Sequence, residues 1–144
     1  MSGGQTGVDR AALDVALELA IPCGGWCPKG RLAEDGPIAG RYPLDETPSP
    51  AYTQRTKWNV RDSDGTLLLT RARPQGGSAF TLRCARRMRR PLLVVDLSLG
   101  PEPAALRAWA EAEGVGTLNV AGPRESAAPG VYGDARAYLR AALG

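Results

Sequence analysis

Thr66-Leu67-Leu68-Leu69-Thr70, then Arg71-Ala72-Arg73-Pro74-Gln75-Gly76-Gly77-Ser78, and, twelve residues on, Pro91-Leu92-Leu93-Val94-Val95-Asp96-Leu97 decide the fold. Both apolar runs are bounded by turn residues and lack polar alternation, the pattern of a strand buried on both faces. Pro91 is acceptable at the start of the second. Between them, Ser78 to about Arg90 has helical spacing, with Phe80, Cys84 and Met88 inward and Leu82 and Ala85 beside them. Arg83, Arg86, Arg87, Arg89 and Arg90 cover the other faces. They read either as a solvated, dipole-compatible helix end or as an anion funnel or subunit surface.

Outward from this unit the alternation continues. Asp62-Ser63-Asp64-Gly65 ends a helix expected over Pro50–Arg61, with Ser49 as N-cap, Pro50 at the first helical position and Tyr52, Thr56 and Asn59 or Val60 along one side. Downstream, Gly100 to Pro103 leads to a helix over Ala104–Glu113, closed by Gly114 and Gly116. A strand over Thr117–Ala121 runs into Gly122-Pro123-Arg124-Glu125-Ser126, and a last helix covers Val131–Leu143. Alternation of this kind predicts an α/β protein, a Rossmann-like doubly wound parallel sheet forming one domain over residues 1–144. Ligands of such sheets bind at the carboxyl ends of the strands, where the loops after Thr70 and Val120 fall.

The chain opens on Ser2-Gly3-Gly4-Gln5-Thr6-Gly7-Val8-Asp9-Arg10. Three glycines in five residues suit a turn, and the helix pattern that follows, from Val8 to about Ala20, would place unpaired amides and a positive dipole end beside it. Asp9 favours that dipole but would repel a phosphate close by. A sheet of this class wants a strand before Gly3, and only Met1 and Ser2 stand there, so the first strand reads as truncated, by a misplaced start or by a sheet built without it. Ile21–Trp26 reads as a short strand leaving through the basic turn Cys27-Pro28-Lys29-Gly30-Arg31. Residues 32–50, with Pro43, Pro48 and Pro50, read as a long irregular loop, a length more often functional than idle.

The 144 residues contain no histidine, which removes Ser-His-Asp and Cys-His catalysis and histidine-ligated zinc. Cys23, Cys27 and Cys84 cannot all pair within the chain and lack metal-ligand spacing, so they read as reduced, buried thiols in a cytoplasmic protein. No apolar run is long enough for a membrane span. The net charge of +3, carried almost wholly by arginine, suits an anionic ligand, while nucleic-acid-binding motifs are absent. Trp26 and Trp58 read as core or interface aromatics before stacking platforms.

Four stretches together resemble a known family: Ser2 to Asp14; Gly25-Trp-Cys-Pro-Lys-Gly-Arg31 with Glu34-Asp-Gly36; Thr56-Lys-Trp-Asn-Val-Arg-Asp-Ser-Asp64; and Asn119-Val-Ala-Gly-Pro-Arg-Glu-Ser126. Their order and spacing are similar to those of the molybdenum carrier family. The resemblance implies a Rossmann-like fold of the SLOG, or lysine-decarboxylase-like, superfamily. It also implies binding of phosphorylated nucleotides or of the pterin-based molybdenum cofactor (molybdopterin), and assembly into dimers or tetramers. Hydrolytic relatives carry Pro-Gly-Gly-x-Gly-Thr-x-x-Glu after the third strand. Here Gly76-Gly77 aligns with the glycine pair and puts Arg83 at the glutamate position, where a permanent cation cannot act as a base.

Binding without hydrolysis is therefore expected. The phosphate would sit on amides of Gly4 to Gly7 or of Gly76 to Ser78, with Arg124 and Lys29 complementing its charge and Gln5, Thr6 and Asn119 orienting it. Gly3, Asp9, Arg10, Gly30, Arg31, Asp35, Gly122 and Glu125 complete the expected lining. No metal-ligating set is present, and molybdoenzymes would be partners for hand-over. The competing reading is a nucleotide sensor or a nucleoside-monophosphate phosphoribohydrolase, with acids drawn from Asp9, Glu34, Asp35 and Glu125 and the catalytic pair being Asp35 and Glu125.

Overall fold

The computed structural model describes every residue from Met1 to Gly144. Its elements are α1 (Val8–Glu18), β1 (Trp26–Cys27), β2 (Leu32–Ala33), β3 (Gly36–Pro37), β4 (Asp45–Glu46), α2 (Tyr52–Arg61), β5 (Gly65–Thr70), α3 (Gly76–Arg87), β6 (Leu92–Asp96), α4 (Ala104–Glu113), β7 (Leu118–Ala121) and α5 (Val131–Leu143). The strands β6-β5-β7 form a parallel sheet, Thr66 opposite Leu92 and Thr66 opposite Asn119 on its two sides. This is the Rossmann-like α/β architecture that the alternation predicts.

All six residues of β5 are buried because helices cover both faces of the sheet. Leu67 and Leu69 join Val95 and Val120 in the larger core, against Val8, Ala11 and Val15 of α1, Leu106 of α4 and Val131, Ala135 and Leu139 of α5. On the opposite face Val60 of α2 meets Cys84 and Ala85 of α3, with Phe80, Met88 and Leu92 partly buried around them. β6 departs from the expected double burial. It is an edge strand, and Val94 is 41% exposed there.

The lane on the far side of β7 is taken by Met1 and Ser2. The amino terminus donates to the Leu118 carbonyl and Val120 N–H donates to the Met1 carbonyl at 2.9 Å, while Ser2 N–H donates to the Gly24 carbonyl at 3.0 Å. Asp45 N–H then donates to the Gly25 carbonyl at 2.9 Å, and β1 pairs in parallel with β4. The expected gap before Gly3 is thus bridged by two residues rather than left open. Gly25 permits this contact. Its φ is +143°, and a Cβ there would lie 2.1 Å from the Ser2 carbonyl oxygen.

Other expectations shift at element ends. The first helix stops at Glu18, with Ala20 at φ +55°, and the strand expected over Ile21–Trp26 shrinks to Trp26–Cys27. α2 begins at Tyr52 with Ala51 as its cap. Ser49 Oγ accepts from Ala51 N–H at 3.1 Å, so it closes a turn before the helix instead of capping it. α3 starts two residues early, at Gly76. The 32–50 stretch holds the small β2–β3 hairpin and a core of its own, in which Ile38, Tyr42 and Leu44 pack with Cys27 against Leu13 of α1. No helix is long and apolar enough to cross a membrane.

Candidate functional site

At the carboxyl ends of β5 and β7 lies a cavity of about 530 Å³. Gly3, Gln5 and Asp9 line it from the first loop and α1; Tyr52, Arg55, Thr56 and Asn59 from α2; Gln75, Gly76, Gly77, Ser78 and Thr81 from α3; and Asn119, Gly122 and Arg124 from β7 and its exit loop. Its volume is that of ordinary small-molecule sites, ~300–1,000 Å³. The three loops that sequence placed around a ligand do converge.

The two glycine-rich helix starts, alike in sequence, differ in what they offer. At α1 the amides of the loop before the helix are used, and the helix start itself, Gly7 to Asp9, is buried. Gly4 N–H reaches Ser2 Oγ at 3.3 Å, Gln5 N–H reaches Asp9 Oδ2 at 3.3 Å, Thr6 N–H reaches Gln5 Oε1 at 3.0 Å and Val8 N–H reaches the Pro123 carbonyl at 3.3 Å. Gly7, at φ +75°, would place a Cβ 2.4 Å from that same carbonyl oxygen, so no ligand fits between the loops. At α3 the amides of Gly76 and Gly77 donate to nothing, and the Ser78 hydroxyl, on a residue only 6% exposed, has no partner. An open helix N-terminus with an unpaired hydroxyl beside it is an anion seat.

Opposite that seat stand two charges. Asp9 is 6% exposed and its Oδ2 lies 3.6 Å from Arg55 Nη1, which donates to the Gly3 carbonyl at 3.0 Å. Burial pushes the Asp9 carboxyl up to about 6, against the pull of Arg55, the Gln5 amide and Arg10. Asp9 is the only carboxylate lining the cavity. Asn119, fully inside, donates from Nδ2 to Thr66 Oγ1 at 3.2 Å. Asn59 is spent on the backbone of Trp26, accepting its N–H at 2.8 Å and donating to its carbonyl at 3.0 Å.

The remaining expected residues lie elsewhere. Thr6, Gly7, Arg10, Asp35 and Glu125 line a second, shallower hollow of about 310 Å³ behind the first loop. There Arg10 forms two hydrogen bonds to Asp35, at 3.0 and 3.2 Å, which hold that carboxyl below its usual range. The Glu125 carboxylate accepts from Gly130 N–H at 2.9 Å and Tyr132 N–H at 3.0 Å, at the start of α5. Glu34 links the loops by accepting from Thr6 Oγ1 and from the amide and hydroxyl of Ser126, contacts that lower its pKa. Gly4 packs under Leu44 and Ile38. Lys29 and Gly30 are exposed away from the cavity, and Arg31 donates to four carbonyls, those of Leu44, Ile38, Ala39 and Tyr42.

Arg83 is outside the cavity, its guanidinium 5.7 Å from the centre of the Phe80 ring. Trp26 and Trp58 pack edge to face at 4.8 Å and line neither hollow. Sequence reading missed Tyr52, Arg55, Thr56 and Asn59 of α2, with Gln75 and Thr81, as lining residues. The available signal was on α2, where Tyr52, Arg55, Thr56 and Asn59 make a polar stripe at spacings of three and four on the face turned toward the sheet end.

The model of the Circularly permutated YpsA SLOG family matches residues 1–143. A crystal structure described as "Putative molybdenum carrier protein", from Syntrophus aciditrophicus SB, is similar at a TM-score of 0.95 and 44% identity, over 99% of this chain and 92% of that one. No curated protein matches the sequence.

Proposed function

The chain belongs to the Circularly permutated YpsA SLOG family, and we propose that it binds and carries a phosphorylated small molecule, the molybdenum cofactor, without transforming it. The observation that carries this reading is the open N-terminus of α3, where two free amides and the unpartnered Ser78 hydroxyl face a cavity of ligand size. Of the two phosphate seats expected from sequence, the one at Gly4 to Gly7 has three of its four amides bonded to Ser2, Asp9 and Gln5, whereas Gly76 and Gly77 keep theirs free. Similarity to a protein described as a molybdenum carrier supports a pterin phosphate as the occupant. Arg124, at the rim, and Arg55, inside, complement its charge, while Gln5 and Asn119 supply polar contacts. Molybdenum would arrive on the pterin's own sulfurs, since no cluster of three or more His, Cys, Asp or Glu side chains is placed to hold a metal. Hand-over to molybdoenzymes, assembly into dimers or tetramers and a cytoplasmic location belong to the same proposal. The three unpaired cysteines support a reducing compartment.

Equilibrium titration with molybdenum cofactor, together with mass spectrometry of whatever copurifies, tests it. A Ser78→Ala variant should bind the phosphate ester at least ~10-fold more weakly, the usual worth of a hydrogen bond to a charged group. It should fold normally, because that hydroxyl bonds to nothing in the protein. Unchanged affinity in the variant would move the phosphate elsewhere. A nucleotide-hydrolysing alternative rests on one observation, the Asp9 carboxyl in the cavity. Release of free base from nucleoside monophosphates, lost in Asp9→Asn, would favour it over carriage.

A further inference from the structure

The cavity contains a charged pair with unused bonding capacity. Asp9 keeps Oδ1 without a hydrogen-bond partner, Oδ2 being the oxygen that meets the Gln5 amide and Arg55. Arg55 uses one donor, Nη1, on the Gly3 carbonyl and leaves the rest of its guanidinium unpaired. Both side chains are nearly buried, at 9% and 12% exposure, and both line the cavity. The unpaired atoms of both groups are open to the cavity rather than sealed in the protein, so a ligand there can take up the bonds that the protein leaves. An acceptor oxygen beside guanidinium donors is complementary to a ring edge that presents N–H groups next to a carbonyl.

Resting on the carrier reading of this cavity, we propose that Asp9 and Arg55 recognise the 2-amino-4-oxopyrimidine edge shared by pterins and guanine. Asp9 accepts from the ring N–H and the exocyclic amine, and Arg55 donates to the adjacent carbonyl oxygen. The phosphate of the same ligand lies on Gly76, Gly77 and Ser78 across the cavity. Adenine offers one donor and one ring nitrogen on its corresponding edge, so it loses a bond to Asp9 and meets Arg55 with a poorer acceptor. A site built to hydrogen-bond a group rejects the analogue that lacks it. The groups facing the Asp9 carboxylate are Arg55 from α2, Arg10 from α1 and the Gln5 amide from the first loop, and the accepting form is the ionised one.

The test is equilibrium binding of GMP, AMP, 6-hydroxymethylpterin monophosphate and inorganic phosphate to the full chain and to its Asp9→Asn variant, at pH 5 and pH 8. GMP or the pterin phosphate should bind at least ~10-fold tighter than AMP at pH 8, and that preference should shrink at pH 5. In Asp9→Asn the preference should vanish while inorganic phosphate binds no more weakly than before, since a carboxylate that repels it has been removed. Whichever of GMP and the pterin phosphate binds tighter identifies the source of the edge. Equal binding of all three esters to the unaltered chain, which depends on no variant's folding, would overturn the assignment and leave the phosphate seat standing. A preference that survives Asp9→Asn would do the same. Failure of every ester and of phosphate to bind would overturn both this assignment and the carrier reading.

Discussion

Asp9 shows how a single side chain can be clear in type and opaque in role. From sequence it is a first-turn acid that suits a helix dipole. Its partner Arg55 is 46 residues away, and only the packing of α2 against the first loop brings the two to 3.6 Å. The consequence is measurable. With a folded-state pKa of about 6 against an ordinary 3.8, the folded protein holds the Asp9 proton more tightly than the unfolded chain does. Stability therefore falls as pH rises from about 4 to about 6 on this group's account, and the full penalty, on the order of 3 kcal/mol, is present above that range. Asp9→Asn should remove it. In urea unfolding, the variant should gain stability relative to the unaltered chain at pH 8 and lose that gain by pH 4. Comparing the two proteins at each pH cancels the exposed carboxylates, such as Asp35, whose lowered pKa values act with the opposite sign. A variant less stable than its parent at pH 8 would show that Asp9 is kept for structure, not for a ligand.

Among the elements, the two glycine-opened helices mark how far sequence could reach. Alternation of apolar runs and helical periods was enough for the parallel sheet, and α4 and α5 appear with the expected bounds because Gly114 and Gly130 sit at left-handed positions at their ends. Which helix start is open to a ligand was not legible, because it depends on what the β7 exit loop does. Pro123 lends its carbonyl to Val8 and the exit loop packs over Gly7, which buries the start of α1, whereas nothing comes back over α3. The edge position of β6 was hidden for the same kind of reason, since a run of Leu and Val carries no record of its neighbours in the sheet. Glu125, an acid in an expected ligand loop, ties the start of α5 by two amides. Glu125→Ala should cost ~1 kcal/mol in urea unfolding, the usual worth of a cap, and leave phosphate-ester affinity unchanged. Loss of affinity with unaltered stability would instead place that carboxylate at the ligand.

For the molecule as a whole, the cavity lies between helices on one face of the sheet and the loops at its carboxyl end. α2 and α3 form one wall, and the first loop with the exit of β7 forms the other. Arg55 crosses from α2 to the Gly3 carbonyl and to Asp9, and Asn59 holds the Trp26 backbone by two bonds. A ligand seated on Gly76 to Ser78 and reaching Asp9 would span both walls, so its binding free energy should appear directly as folding stability. At a ligand concentration ~100 times the dissociation constant the gain is ~2.7 kcal/mol. The same concentration applied to Ser78→Ala, if affinity falls tenfold, corresponds to ~10 times its dissociation constant and a gain of ~1.4 kcal/mol. Urea unfolding of both proteins with and without the phosphate ester therefore reads the seat through the global transition, independently of any binding signal. Equal gains in the two proteins would mean that the ester stabilises the fold from another surface, such as the exposed arginines of α3 or the hollow beside Arg10. A halved gain locates the phosphate at the one helix start that the fold leaves open.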